Sequence, residues 1–342
     1  MRALVTGGGG FLGQAIVRGL LGRGASVRSF SRHDHAELHT LGVEQLQGDL
    51  FDADAVARAV QGCEMVFHVA ARPGLWGEYE DYHRPNVVGT QNVIHACRRH
   101  GVQRLVYSSS PSVVFDGRDM EGVDESVPYA SRFEAHYPRT KAIAEQAVRA
   151  ANDAQLATVS LRPHLIWGPG DNHLLPRLAA RARAGQLRRI GSRPNLIDTV
   201  YVDNAAEAHL LAADRLSPGS PIAGKAYFIS QGEPVPLWDM VNRLLEAVGA
   251  PPVTRSIPAP LALALAWGFE TAHRLARNPR EPRLTRFLVH ELAAAHWFDI
   301  SAARRDLGYA PRIDIGDGEF IGVGFVGLDR LAVGPLLLFG ND

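Results

Sequence analysis

The chain has 342 residues, enough for a large α/β core, and its 36 basic side chains balance 36 acidic ones for a formal net charge of zero. That neutrality argues against a nucleic-acid partner, which would favour a basic surface. The two cysteines, Cys63 and Cys97, lie in apolar segments outside any metal or redox spacing, so a reduced, cytoplasmic setting is expected. No signal peptide is expected, because a strand-type run begins at once.

Met1 to Val5 is a short apolar stretch of strand type, and Gln14 to Leu21 carries apolar residues at helical spacing. Between them, Thr6 to Gly13 reads T-G-G-G-G-F-L-G. Gly7, Gly10 and Gly13 form G-x-x-G-x-x-G, with Phe11 and Leu12 inside the same turn. Small residues there allow a tight turn and a close approach to pyrophosphate, and the helix that follows offers unpaired N–H groups to the anion. This context predicts a nucleotide site.

Further strand-like runs are Ser26–Phe30, Glu44–Gln47, Met65–Val69, Leu105–Ser108 and Thr158–Arg162. Helical patterns lie at Gly13–Leu21, Ala53–Val60, Asn86–His100 and Tyr137–Ala151. The β-α-β order predicts a Rossmann-type doubly wound parallel sheet, with ligands beyond the carboxyl ends of its strands. After Trp167-Gly168-Pro169-Gly170 the rhythm changes. Leu174–Gly185, Asn204–Leu216 and Leu237–Val248 read as helices, and Asp198–Tyr201 and Lys225–Ser230 as strands. The expected organisation is a dinucleotide-binding domain over 1–170, to which 195–230 returns. A smaller, mostly helical substrate lobe is expected from 171–194 and 231–315, followed by an atypical tail at 316–342.

Tyr137-Pro138-Arg139-Thr140-Lys141 is Y-x-x-x-K at a helix start, so phenol and ammonium share one helical face. A free tyrosine, with a pKa of about 10, is a poor acid–base catalyst near neutrality. A neighbouring cation favours the phenolate and brings that pKa toward the working pH. Ser108-Ser109-Ser110 ends an apolar strand that opens toward the cofactor cleft, where a hydroxyl can hold a carbonyl oxygen while the tyrosine donates a proton.

Together these features resemble the extended short-chain dehydrogenase/reductase superfamily. Gly48-Asp49-Leu50, His68-Val69-Ala70-Ala71, Asn86-Val87-Val88-Gly89-Thr90 and Leu161-Arg162-Pro163 recur with the glycine motif, the serines and Y-x-x-x-K in its order and rough spacing. The resemblance implies that Ser110 is the catalytic serine, Tyr137 the acid/base and Lys141 its partner. It also implies that Asp49 and Leu50 flank the adenine, that Ala70 and Ala71 line the dinucleotide, and that the backbone after Pro163 meets the nicotinamide amide. Gly74-Leu75-Trp76-Gly77, Pro111-Ser112-Val113, Leu165 to Asp171, Ala226 to Ser230, His296-Trp297-Phe298 and Arg304 to Tyr309 resemble the 3β-hydroxysteroid dehydrogenase branch. Within that branch they look most like the bacterial 2-alkyl-3-oxoalkanoate reductases of long-chain olefin biosynthesis, which implies a lipid-like keto-acid substrate.

Cofactor choice is read from the end of the second strand. A site selective for NAD places an acid there, roughly twenty residues after the glycines, to hold the ribose 2′-OH. Here Ser31 takes the acid's place and Arg32 follows, a pair suited to a 2′-phosphate, so NADPH is expected over NAD(H). His33, His35 and His39 lack a paired-histidine zinc motif, and no metal site is expected.

Ile257 to Phe269 is the most apolar segment, yet it falls short of the about 20 residues that a membrane span needs. It is expected to be a core helix, a lid for an alkyl substrate, or a peripheral contact with a membrane or partner enzyme through 257–286. Arg274, Arg277, Arg280, Arg283 and Arg286 supply a basic flank. A homo-oligomer is expected.

The sequence therefore predicts an NADPH-dependent reductase of a 2-alkyl-3-oxoalkanoate with Tyr137 as general acid. The alternatives are a 3β-hydroxysteroid dehydrogenase using the same residues, or a non-catalytic NAD(P)-binding redox sensor. A sugar-nucleotide epimerase would need a polar lobe, and this one is apolar.

Overall fold

The computed structural model describes residues 1–171 and 174–314, so the tail expected at 316–342 lies outside the described residues. Seven strands form one sheet in the spatial order Ala226–Ile229, Ala157–Pro163, Arg104–Ser108, Met65–His68, Arg2–Thr6, Ser26–Ser31, Glu44–Gln47. Every neighbouring pair is parallel. This is the doubly wound sheet that the strand and helix order predicts. Met65–His68 and Ala157–Pro163 are buried along their whole lengths, as strands covered on both faces must be.

From Arg2–Thr6 the chain steps outward to Glu44–Gln47, then returns to Met65–His68 on the opposite flank of the first strand. That reversal opens a crevice beyond the carboxyl ends, where the glycine turn lies. Helices Phe11–Gly22 and Val202–Arg215 cover one face. Their approach depends on Gly19, since a Cβ there would come 2.5 Å from Leu210 Cδ1. Ala53–Val60, Gly89–Arg99 and His136–Ala150 cover the other face. The helix predicted from Asn86 enters through a π-helical turn, Arg84–Val88.

The lobe differs from expectation in detail. A four-stranded sheet joins Val235–Pro236, Leu196–Ile197, His296–Phe298 and Met120–Val123. Its strands are two to four residues long and come from distant segments, so they leave no periodic trace. The strand predicted at Asp198–Tyr201 is two short strands in different sheets, Leu196–Ile197 and Val200–Tyr201. Asp198 interrupts them because its carboxylate turns inward, accepting from the Phe298 amide at 3.0 Å and facing His164 Nδ1 at 2.6 Å. Helices Leu174–Arg183, Leu237–Ala247, Ala259–Leu275 and Arg286–Ala293 enclose a separate apolar core that includes Trp238, Leu245 and Val289.

Glu145 and Arg162 join helix His136–Ala150 to strand Ala157–Pro163. Arg162 donates through Nη2 at 2.6 Å and Nε at 3.0 Å, and Tyr129 adds a third hydrogen bond at 2.7 Å. Both charged groups are essentially sealed from water. Removing one partner strands a buried charge, at a typical cost of about 3–5 kcal/mol. Glu145→Ala is therefore expected to lower unfolding free energy by about that amount in denaturant titrations. A loss below about 1 kcal/mol would show that water solvates the orphaned guanidinium.

Candidate active site

The glycine turn closes on bare backbone. Gly7 adopts φ +70 and accepts the Gly10 amide at 2.9 Å. A Cβ on Gly7 would lie 3.0 Å from the Ala70 backbone, and one on Gly13 would lie 2.0 Å from the Gly7 carbonyl oxygen. Helix Phe11–Gly22 then begins with neither a side-chain cap nor an acid in its first turn. Its first N–H groups are left for an anion. The cradle fits a dinucleotide pyrophosphate. Leu12 is buried beneath the turn and Phe11 packs against the same core.

The residues expected around the adenosine follow strand ends on the same side of the sheet as that cradle. The Ala70 amide donates to the Thr6 carbonyl at 3.1 Å, which sets Ala70 against Gly7 and carries Ala71 onward along the crevice. The Gly48 amide donates to the Ser31 carbonyl at 3.0 Å. Leu50 follows with its carbonyl held by Asn92 at 2.9 Å, and the Asp49 carboxylate accepts the Phe51 amide at 3.3 Å. The Ser31 hydroxyl donates to the His33 carbonyl at 2.7 Å. Arg32 is exposed beside it. The His35 ring lies over Gly9, where an added Cβ would come 2.1 Å from it.

Tyr137 and Lys141 stand one turn apart on helix His136–Ala150, beside the end of strand Arg104–Ser108. Lys141 Nζ donates to the Ser108 carbonyl at 2.6 Å and lies 4.2 Å from the Tyr107 ring centre. Burial brings Lys141 down to about 7, with the Glu145 charge opposing the shift. Burial likewise pushes the Tyr137 phenol up to about 12, opposed by a hydrogen bond with Ser110 and assisted by the Glu291 charge. The sequence pattern predicts a phenol shifted downward by Lys141. Here desolvation governs the phenol and the shift is upward, while the ammonium donates to the Ser108 carbonyl. Tyr137 therefore holds its proton.

Of the three serines, only Ser110 is available to the cleft. The Ser108 hydroxyl lies 2.7 Å from Nε2 of buried His209, whose Nδ1 faces the Ala205 carbonyl, and Ser109 is buried. Ser110 caps the turn Pro111–Val113 by accepting the Ser112 amide at 3.2 Å, and its hydroxyl lies 2.9 Å from that of Ser112. Pro163 ends its strand paired with Ile229. Leu165, two residues on, has φ +42, a conformation costly for a branched side chain and more usual for glycine or asparagine. It packs against the apolar lobe core.

Two residues of the sequence motifs, Asn86 and His68, and one outside them, Glu291, take parts near the site that the sequence did not assign. Buried Asn86 accepts the Arg72 amide at 2.7 Å and donates to the Arg72 carbonyl at 3.1 Å and to Thr140 Oγ1 at 3.0 Å. It ties the loop after Ala71 to the Tyr137 helix. His68 links Thr6 and Thr90, and burial together with the Lys141 charge keeps it neutral, down to about 3. Glu291, on helix Arg286–Ala293, brings a carboxyl close enough for its charge to bear on Tyr137. It stands one turn after buried Phe287, so a lone acid on the apolar face of a short helix was the available signal.

The 3-beta hydroxysteroid dehydrogenase/isomerase family matches residues 4–259. The chain belongs to that family. It is 54% identical over 320 residues to the 2-alkyl-3-oxoalkanoate reductase of Stenotrophomonas maltophilia (strain K279a), covering 93% of this chain and 97% of that protein. It is 39% identical over 319 residues to a 3 beta-hydroxysteroid dehydrogenase/Delta 5-->4-isomerase of Mycobacterium tuberculosis (strain CDC 1551 / Oshkosh), covering 91% and 86% of the two chains. The solved UDP-glucose 4-epimerase of Thermus thermophilus, in complex with NAD, matches with a TM-score of 0.71 at 26% identity, over 97% of this chain and 100% of that one. The resemblance carried by the sequence motifs holds.

Glu291 gives the site a pH signature. Burial raises its carboxyl from 4.5 to about 7. The stability of the neutral form is full below about 4.5 and is lost as pH rises through about 7. Glu291→Gln removes that titration. Its melting temperature is expected to match wild type near pH 4.5 and to exceed it increasingly toward about pH 8. A constant difference across the range would place the carboxylate in water.

Proposed function

We propose that the protein is an NADPH-dependent carbonyl reductase that converts the β-keto group of a 2-alkyl-3-oxoalkanoate to the 3-hydroxy acid in the cytoplasm. One observation carries the reading: Tyr137 and Lys141 share one face of a helix beside the strand that ends in the serine triplet, at the same carboxyl end of the sheet as the glycine cradle. The identity to a 2-alkyl-3-oxoalkanoate reductase and the apolar lobe behind Leu165 support the substrate class.

Gly7, Gly10 and Gly13 would hold the cofactor pyrophosphate, Asp49 and Leu50 would flank the adenine, and Arg32 would pair with the 2′-phosphate. When bound, the nicotinamide supplies hydride to the ketone carbon. Tyr137 Oη gives its proton to the oxygen as negative charge develops there, and the Ser110 hydroxyl donates to the same oxygen. Burial favours the phenol over the phenolate, which suits a proton donor in reduction. Lys141, anchored on the Ser108 carbonyl, stands beside the tyrosine where it can hold the nicotinamide ribose.

The relationship to a mycobacterial 3β-hydroxysteroid dehydrogenase favours one second reading, oxidation of a ring alcohol by the same three residues. Side-by-side assays of NADPH oxidation with a 2-alkyl-3-keto acid and NAD reduction with a 3β-hydroxysteroid separate the two. A non-catalytic sensor would consume cofactor with neither.

Tyr137→Phe is expected to leave cofactor binding intact and to lower kcat by about 10²–10⁴-fold. Retention of more than about half of the wild-type rate would remove Tyr137 from the proton transfer. Arg32→Ala is expected to weaken NADPH at least about tenfold more than NADH in fluorescence titrations, since charge-assisted hydrogen bonds contribute roughly 1.5–3 kcal/mol. Equal losses for both cofactors would make Arg32 a solvated surface residue.

A further inference from the structure

Helix Ala259–Leu275 keeps its small side chains inward. Ala262, Ala266 and Glu270, at successive i+4 positions, are buried, and Glu270 is bonded to Arg286 at 2.9 Å. Its large apolar side chains point the other way. Leu261 is 51% exposed, Leu265 45%, Trp267 61% and Leu275 82%, whereas few other large hydrophobic residues of the described chain are so open. This inverts the usual arrangement of a surface helix, whose apolar stripe faces the core.

Charge is segregated at the C-terminal end of the same helix. Arg274 and Arg286 share Glu270, but the Arg277, Arg280 and Arg283 guanidiniums are exposed without an ion pair among the described residues. Arg277 also occupies a costly position. The Arg277 amide donates to the Arg274 carbonyl and the Asn278 amide to the His273 carbonyl, a helix ending whose first residue past the cap is usually glycine. Arg277 sits there at φ +48. Glycine would relieve that strain, and arginine adds a third free cation to the cluster.

No helix among the described residues is long and apolar enough to cross a membrane. A helix of 17 residues with an exposed leucine and tryptophan face, one buried face and arginines at its end matches a segment lying in the plane of a bilayer surface. We propose that the outer face of Ala259–Leu275 docks on an anionic lipid surface, with Leu261, Leu265 and Trp267 entering the headgroup boundary and Arg277, Arg280 and Arg283 meeting lipid phosphates. The docked face adjoins the cleft. Trp76, in the loop that follows Ala71, donates through Nε1 to the Asn278 carbonyl at 3.3 Å, and the Arg274 guanidinium lies 5.5 Å from the centre of its ring. An alkyl substrate could thus pass from the bilayer to the site without crossing water.

The test uses the full chain, with no substrate or cofactor, so its outcome is separate from that of the proposed reaction. Co-sedimentation with phosphatidylglycerol vesicles is expected, with binding at least about tenfold weaker to phosphatidylcholine and strongly reduced by high salt. Leu261→Ser, Leu265→Ser and Trp267→Ser together, all at exposed positions, are expected to weaken binding by more than about tenfold with little change in melting temperature. Arg277→Gly is expected to keep or raise the melting temperature while weakening binding about fivefold. Absence of binding to phosphatidylglycerol, or binding indifferent to the triple substitution, would overturn the proposal. So would conversion of an oligomer to monomers by the triple variant, since the face would then be an interface between copies of this chain.

Discussion

A carboxylate and a guanidinium hidden from water, Glu145 and Arg162, fix the helix that carries Tyr137 and Lys141 against the sheet. Neither charge is tolerable in a low-dielectric interior without a partner, and the two-point contact supplies one to each, with Tyr129 adding a further bond to the carboxylate. The geometry leaves helix His136–Ala150 little freedom to slide or rotate on strand Ala157–Pro163. Lys141 lies one turn before Glu145 and Tyr137 one turn before that. The pinned acid therefore aims the ammonium at the Ser108 carbonyl and the phenol at Ser110. The same acid tempers the cost of keeping Lys141 charged so far from solvent.

A second buried chain aligns the lobe with the sheet. Asp198 faces His164 Nδ1 at 2.6 Å, His164 Nε2 lies 3.2 Å from His296 Nδ1, and His296 Nε2 lies 2.8 Å from the Glu291 carbonyl oxygen. Strand end, crossing loop and lobe helix are thereby joined by rings whose rotation would leave polar atoms unpaired in the interior. Burial, with His164 close by, holds His296 down to about 4, so it is neutral across the physiological range. The helix bearing Glu291 is fixed again at the surface, where His290 Nδ1 lies 2.7 Å from Glu134, three residues before Tyr137. Lobe and Tyr137 helix are held to each other from both sides.

The lobe also shows how a fold shared with a sugar-nucleotide epimerase can carry an apolar lobe. Leu165 keeps a left-handed backbone at the strand end despite its strain, and its side chain joins the lobe core. Farther out, Leu261, Leu265 and Trp267 stay in contact with solvent, while Ala262 and Ala266 take the inward positions.

Much of this was legible in the chain itself. The parallel sheet, the glycine cradle and the shared face of Tyr137 and Lys141 follow from local rules, whereas Ser110 was singled out from its triplet by the family resemblance. A glycine turn, a strand end and an i+4 spacing keep their meaning wherever the chain goes next. The short strands Met120–Val123 and His296–Phe298 were not legible, because each is held by a partner far away in sequence. The same limit applies to charge. Spacing put a cation beside a phenol, but the burial that moves both groups and the Ser108 carbonyl that claims the ammonium are properties of the packed interior. Glu291 meets Tyr137 across more than a hundred residues of chain. Only the tertiary structure could decide that encounter, because dielectric and distance depend on what surrounds a group in space and not on its neighbours in sequence.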